Sequence, residues 1–126
     1  MNDLRKSERL NSKIVIEKMF AGGSSRSFSV FPLRVVYMPV DSLEASASIL
    51  VSVPKKRFKR AVKRNRVKRQ IREAYRKNKG ELKQLLTEKE QKLAIAFIYL
   101  SDQLTSSVEI EEKVKLLLAR MAEKVA

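Results

Sequence analysis

The chain has 126 residues, 44% of them apolar, with 28 Lys or Arg against 14 Asp or Glu and a formal charge of +14. That length suits one domain over residues 1–126, and the absence of Cys and His excludes disulfides, thiolate or imidazole zinc sites, thiol nucleophiles and imidazole bases. The longest apolar run, Leu93 to Leu100, falls far short of the roughly 20 residues that cross a bilayer, and the N-terminal MNDLRKSERL lacks a signal-peptide core, so a soluble, cytoplasmic protein without a membrane partner is expected.

Asn11 or Ser12 is placed to cap a short helix with i,i+4 apolar pairs Val15/Met19 and Ile16/Phe20, ending at Ala21-Gly22-Gly23. Ser24 to Ser29 reads as a Ser-rich turn. Val30 to Val40 has strand composition interrupted by Pro32, which either sits at a sheet edge or divides two short strands. Asp41-Ser42-Leu43-Glu44 suits a turn, and Ser46 to Val53 alternates as a half-buried strand with Ile49, Val51 and Val53 on one face.

From Lys55 to Lys79 the chain carries fourteen bases and one acid, Glu73, a local charge of +13, while the remaining residues hold fourteen bases and thirteen acids. Nearly all of the net charge is therefore concentrated here, at a cost in self-repulsion that implies a polyanionic partner. The periodicity turns helical from about Arg60. Val67, Ile71, Ala74 and Tyr75 fall in one arc that docks on the sheet, and Asn65, Arg69, Arg72 and Arg76 face outward with Arg66 and Lys68 on the flanks. Arg64 projects toward the docking arc, where it either reaches the polyanion past the sheet edge or anchors the helix. Gly80 ends or kinks this helix, and Leu82, Leu85 and Leu86 continue a turn or two.

Lys92 to Leu100 lacks alternation and fits a central strand covered on both faces. Ser106 with Glu109 makes a capping-box pattern ahead of a helix that carries Ile110, Val114, Leu117, Leu118, Met121 and Val125 at 3- and 4-residue spacing. The order helix, strands, basic helix, strand, helix predicts an α+β fold, a two-layer α/β sandwich.

Bases crowd the start of the basic helix, where the dipole disfavours them, so local stability is not their purpose. A salt-bridged solvent face would need acids, of which only Glu73 is at hand. A membrane-surface helix fits poorly because the modest apolar arc is needed by the sheet, and a DNA reader lacks a helix-turn-helix partner. Arg offers a planar fork for phosphate oxygens, and each neutralised phosphate releases counterions.

Arg64-Asn65-Arg66-Val67-Lys68-Arg69-Gln70-Ile71-Arg72-Glu73, preceded by Val53-Pro54-Lys55-Lys56 and Ala61-Val62, closely resembles the RNR motif of the bacterial ribonuclease P protein family. Leu10 through Phe20 and Gly23 look like that family's first helix, and the later strand and helix fall in the expected order. The resemblance implies a ribosomal protein S5 domain 2-like sandwich with a left-handed βαβ crossover. It also implies two partners, a catalytic ribonuclease P RNA and the 5′ leader of precursor tRNA, with no protein partner expected. The RNA would hold the active-site Mg2+ and hydrolyse the phosphodiester, so no cofactor is expected on the protein.

Carried over by position, the RNA-binding residues are Lys55, Lys56, Arg64, Asn65, Arg66, Lys68, Arg69 and Arg72. The leader cleft would draw on Ile16 and Phe20 from the first helix and on Phe31, Arg34 and Val36 from the strand region. Ile16 departs from the family, which often has an aromatic there, leaving Phe20 as the stacking residue of that helix. No carboxylate pair or nucleophile-base spacing marks a protein active site, so no catalytic residue or metal ligand is expected. The competing reading is a non-catalytic structured-RNA-binding protein, a ribosomal or assembly factor. Such a binder needs charge but not the ordered Arg64-Asn65-Arg66 with Lys68, Arg69 and Arg72.

Overall fold

The computed structural model describes residues 6–23, 25–41 and 45–125. Ser12 caps the first helix, α1 (Lys13–Ala21), its hydroxyl accepting from the Val15 amide at 3.4 Å. Gly22 ends α1 at φ +84°, a left-handed conformation that glycine adopts without a Cβ clash.

The segment expected to be a Ser-rich turn forms a strand instead, β1 (Arg26–Val30), paired antiparallel with β2 (Leu33–Pro39). Its serines, Ser27 and Ser29, occupy the exposed alternate positions, while Phe28 and Val30 pack on the core. Period-two alternation therefore outweighs turn-prone composition once a partner strand supplies the hydrogen bonds. Pro32 follows a cis peptide bond in the turn between these strands, so it divides them. The turn expected at Asp41 to Glu44 lies largely outside the described residues.

The remaining elements are β3 (Ala47–Ser52), α2 (Ala61–Asn78), α3 (Gly80–Glu88), β4 (Leu93–Tyr99) and α4 (Ser107–Val125). Gly80 opens α3 directly after α2, so the basic helix and its continuation are two helices meeting at Lys79. Ser106 accepts a hydrogen bond from the Glu109 amide at 3.2 Å, as the capping pattern predicts. The sheet runs β1-β2-β4-β3, with β3 parallel to β4 and the other pairs antiparallel. The α2–α3 segment thus forms the crossover between the two parallel strands.

β4 is the strand that both faces share. Leu93, Ile95, Phe97 and Tyr99 join Leu33, Val35, Ile49 and Val51 beneath α2, α3 and α4 in the main core. On the reverse face Ala94 and Ala96 meet Val36, Met38, Leu10 and Met19, with Val15 and Ile16 of α1 packed against them. The small alanines let α1 sit close, and the absence of alternation in the sequence reflects this burial on both sides.

Tyr75 of α2 is fully buried, its ring centroid 6.1 Å from that of Phe97, and its hydroxyl has no hydrogen-bond partner among the described residues. Burial first, and the negative charge of Glu8 second, push this phenol well above its ordinary pKa. An unfolded Tyr ionises near pH 10 while the folded one stays neutral, so its contribution is complete below about pH 10 and is lost as pH rises above it. Tyr75→Phe is expected to keep the fold, to leave stability unchanged or raised by about 1 kcal/mol, and to flatten the alkaline loss. Urea unfolding at pH 7 and above pH 10 measures both effects.

Candidate nucleic-acid interface

Burial of Val67, Ile71, Ala74 and Tyr75 fixes the rotation of α2 about its axis and thereby decides which bases face out. Asn65, Arg66, Arg69 and Arg72 are exposed and Lys68 is half-buried on the flank. Among the described residues no hydrogen bond or ion pair engages the side chains of Arg66, Lys68, Arg69 or Arg72. Arg76, at the far end of this face, is instead paired with Glu73, and its hydrogen bond is the main cause that holds the Glu73 carboxyl below the usual range. From Asn65 to Arg72 the face spans about 10 Å at 1.5 Å per residue, with no acid inside it.

The approach to α2 extends the same surface. Arg57 N donates to Pro54 O at 3.0 Å in a tight turn that leaves Lys55 and Lys56 exposed. Arg60 holds the N-cap position without a side-chain hydrogen bond, and the first turn contains no acid, so the helix start keeps its partial positive charge. Arg64 behaves differently from its neighbours. Its Nη1 donates to Phe58 O at 2.8 Å and Lys59 O at 2.7 Å, folding the side chain back on the entry loop. Of the two roles open to it, the anchoring one matches these contacts.

On the reverse face of the sheet, α1 covers only part of the surface. Strand register aligns Ser29, Arg34, Ile98 and Ser52 in one row across β1, β2, β4 and β3. Arg34 and Ser29 are exposed and Ile98 and Ser52 half-buried, whereas Val36 and Ala96 in the next row are buried. The open row lies at the end of the sheet where β3 exits toward Lys55 and Lys56 and where Leu100 N bonds Pro32 O at 2.8 Å. Phe31 protrudes there, 67% exposed, and Phe20 of α1 is 50% exposed.

Of the cleft residues expected from sequence, Arg34, Phe20 and Phe31 are accessible and Ile16 is half-buried against the sheet. Val36, also expected in the cleft, is 4% exposed and forms part of the packing under α1. Among the described residues no group of three or more Asp or Glu side chains converges as a metal site would require.

The ribonuclease P family model matches residues 4–122. The chain belongs to the ribonuclease P protein family. A ribonuclease P protein component of Porphyromonas gingivalis is 48% identical over 120 residues, covering 94% of this chain and 86% of that protein. Among solved structures, the ribonuclease P protein from Thermotoga maritima superposes with a TM-score of 0.70 at 23% identity, over 90% of this chain and 96% of that one. That from Staphylococcus aureus gives 0.68 at 19% identity, over 92% and 96%. As a ribonuclease P protein component, the chain is part of a tRNA-processing ribonucleoprotein with endoribonuclease activity.

Sequence reasoning missed Ser29, Ser52 and Ile98 of the open row. Each belongs to a strand whose alternation is visible, but the register that aligns them is set by pairing across the sheet. Arg64→Ala should lower stability by about 1–2 kcal/mol, because two charge-assisted hydrogen bonds at the helix entry are lost. Arg66→Ala and Arg69→Ala, on the exposed face, should change it by less than about 0.5 kcal/mol. Chemical denaturation of the three variants checks the difference.

Proposed function

We propose that the exposed face of α2, with Lys55 and Lys56, docks on the ribonuclease P RNA, and that the open row of the sheet beside α1 receives the 5′ leader of precursor tRNA. The observation that carries this reading is the set of outward bases on α2 that have no partner among the described residues. Arg66, Arg69 and Arg72 are exposed to phosphate oxygens with half-buried Lys68 on their flank, and Asn65 adds a neutral donor and acceptor among them. A helix start without an acidic cap favours a phosphate at the same place.

The leader surface has a different chemistry. Arg34 supplies one cation in the row that also carries the hydroxyls of Ser29, its neighbour on β1, and Ser52, beyond Ile98 on β3; its Nη2 already donates to Ser27 Oγ at 3.3 Å. Phe20 and Phe31 offer exposed aromatic faces, and stacking a base on such a ring is worth about 1–3 kcal/mol. A single-stranded leader suits this surface because its bases are free to stack, whereas paired bases are not. In this reading the RNA subunit holds the catalytic Mg2+ and performs the hydrolysis, while the protein positions substrate and RNA. No helix among the described residues is long and apolar enough to cross a membrane; in this reading the protein works in the cytoplasm, alongside its RNA.

Reconstitution with ribonuclease P RNA at low magnesium tests the whole proposal: the protein should stimulate precursor tRNA cleavage and should cleave nothing without the RNA. Lack of stimulation with the RNA of its own source organism would overturn it. Arg66→Ala and Arg69→Ala should each weaken binding to that RNA and reduce the slope of log affinity against log salt by about one. An unchanged slope would place them off the RNA. Phe20→Ala should lower the preference for precursor over mature tRNA and leave assembly with the RNA intact, as paired affinity measurements would reveal.

A further inference from the structure

Glu8 is a carboxylate with 2% exposure in a short 3-10 turn (Lys6–Glu8) that precedes α1. Its two oxygens accept from Lys79 Nζ at 2.9 and 2.8 Å, and Lys83 Nζ lies 3.7 Å away. Lys79 is the residue between α2 and α3, so the pair joins the N-terminal segment to the far end of the basic helix. Burying both charges costs solvation that their attraction scarcely offsets, so gain in stability is a poor reason for such a pair. Fixing one arrangement among several is a better one.

The same segment is pinned to the free edge of β3. Leu10 N donates to Ile49 O at 2.7 Å, Arg9 forms a parallel bridge with Ile49, and Ser48 Oγ donates to Ser7 O at 2.8 Å. Two residues later Ser12 caps α1. The segment therefore passes around the sheet edge, from the corner of α2 and α3 to the start of α1, and sets where α1 begins on the reverse face.

We propose that Glu8 is a positioning residue that, through Lys79, couples the RNA-docking helix α2 to the leader surface beside α1. The inference rests on the reading of that surface as the leader site. With the clasp intact, α1 is held at its N-terminal end as well as by Met19, and the spacing between Phe20 and Arg34 is fixed. Without it, the segment from Ser7 to Leu10 loosens, α1 shifts on its alanine floor, and leader contacts weaken while the face of α2 stays as it was.

The test uses the full chain carrying Glu8→Gln or Lys79→Gln, and the pair combined, alongside Phe20→Ala as the leader-surface reference. Two quantities are read: hydrogen exchange of the Leu10 amide, and the ratio of precursor to mature tRNA affinity in the reconstituted holoenzyme. Each clasp variant should speed Leu10 exchange while Ile95 stays protected, reduce the ratio about fivefold or more, and leave affinity for the ribonuclease P RNA within about twofold. The double variant should add little, since both changes open one clasp. Unchanged Leu10 exchange, or an unchanged ratio while Phe20→Ala lowers it, overturns the coupling and leaves the leader reading standing. If Phe20→Ala also leaves the ratio unchanged, the leader reading fails and the inference with it. Uniform loss of protection in both single variants would make the pair a stability element and overturn the positioning role.

Discussion

Docking of one face of α2 on the sheet is the interaction on which the rest of the protein depends. Val67, Ile71, Ala74 and Tyr75 are all buried, and each large apolar side chain so placed contributes about 1.5–3 kcal/mol. Bases at the helix start each oppose this by only a few tenths of a kcal/mol. Apolar burial therefore wins, and it allows α2 to present an outward surface that would not support an isolated helix. The repulsion that remains is the form in which affinity for a polyanion is held.

The sheet beneath is asymmetric, and its asymmetry separates two tasks. On the α2 side β4 contributes Leu93, Ile95, Phe97 and Tyr99, which fill the space between sheet and helices. On the other side it contributes Ala94 and Ala96, over which α1 sits close, and Ile98, which α1 leaves partly open. A single nine-residue helix cannot cover a four-stranded sheet. The uncovered row at Arg34 and Ile98 is the consequence, and it places a second polar surface at the sheet end from which α2 is approached through Lys55 and Lys56.

The N-terminal segment links these surfaces at the sheet edge. Edge strands expose backbone groups that invite pairing with other chains, and Arg9 and Leu10 occupy part of the β3 edge. Glu8 and Lys79 then bind that cover to the helical layer. One short stretch thus protects an edge, starts α1 and meets the end of the basic helix, which accounts for a buried carboxylate so near the start of the chain.

By itself the sequence determined α2 and its two faces, because helical periodicity over 18 residues separates apolar from basic positions without reference to any partner. It determined a central strand within Lys92 to Leu100, the cap at Ser106, a first cap at Asn11 or Ser12, and, through the ordered Arg64-Asn65-Arg66 motif, the family. Tertiary structure decided what depends on pairing between distant segments. Arg26 to Val30 became a strand because β2 supplies its hydrogen bonds, Val36 was closed off because α1 lies over it, and Ser29, Arg34, Ile98 and Ser52 came into one row through cross-strand register. Arg64 turned back to Phe58 O and Lys59 O, and Glu8 found Lys79 across 71 positions of chain. Local periodicity carries no information about such contacts, since each is fixed by where two separately folded elements meet.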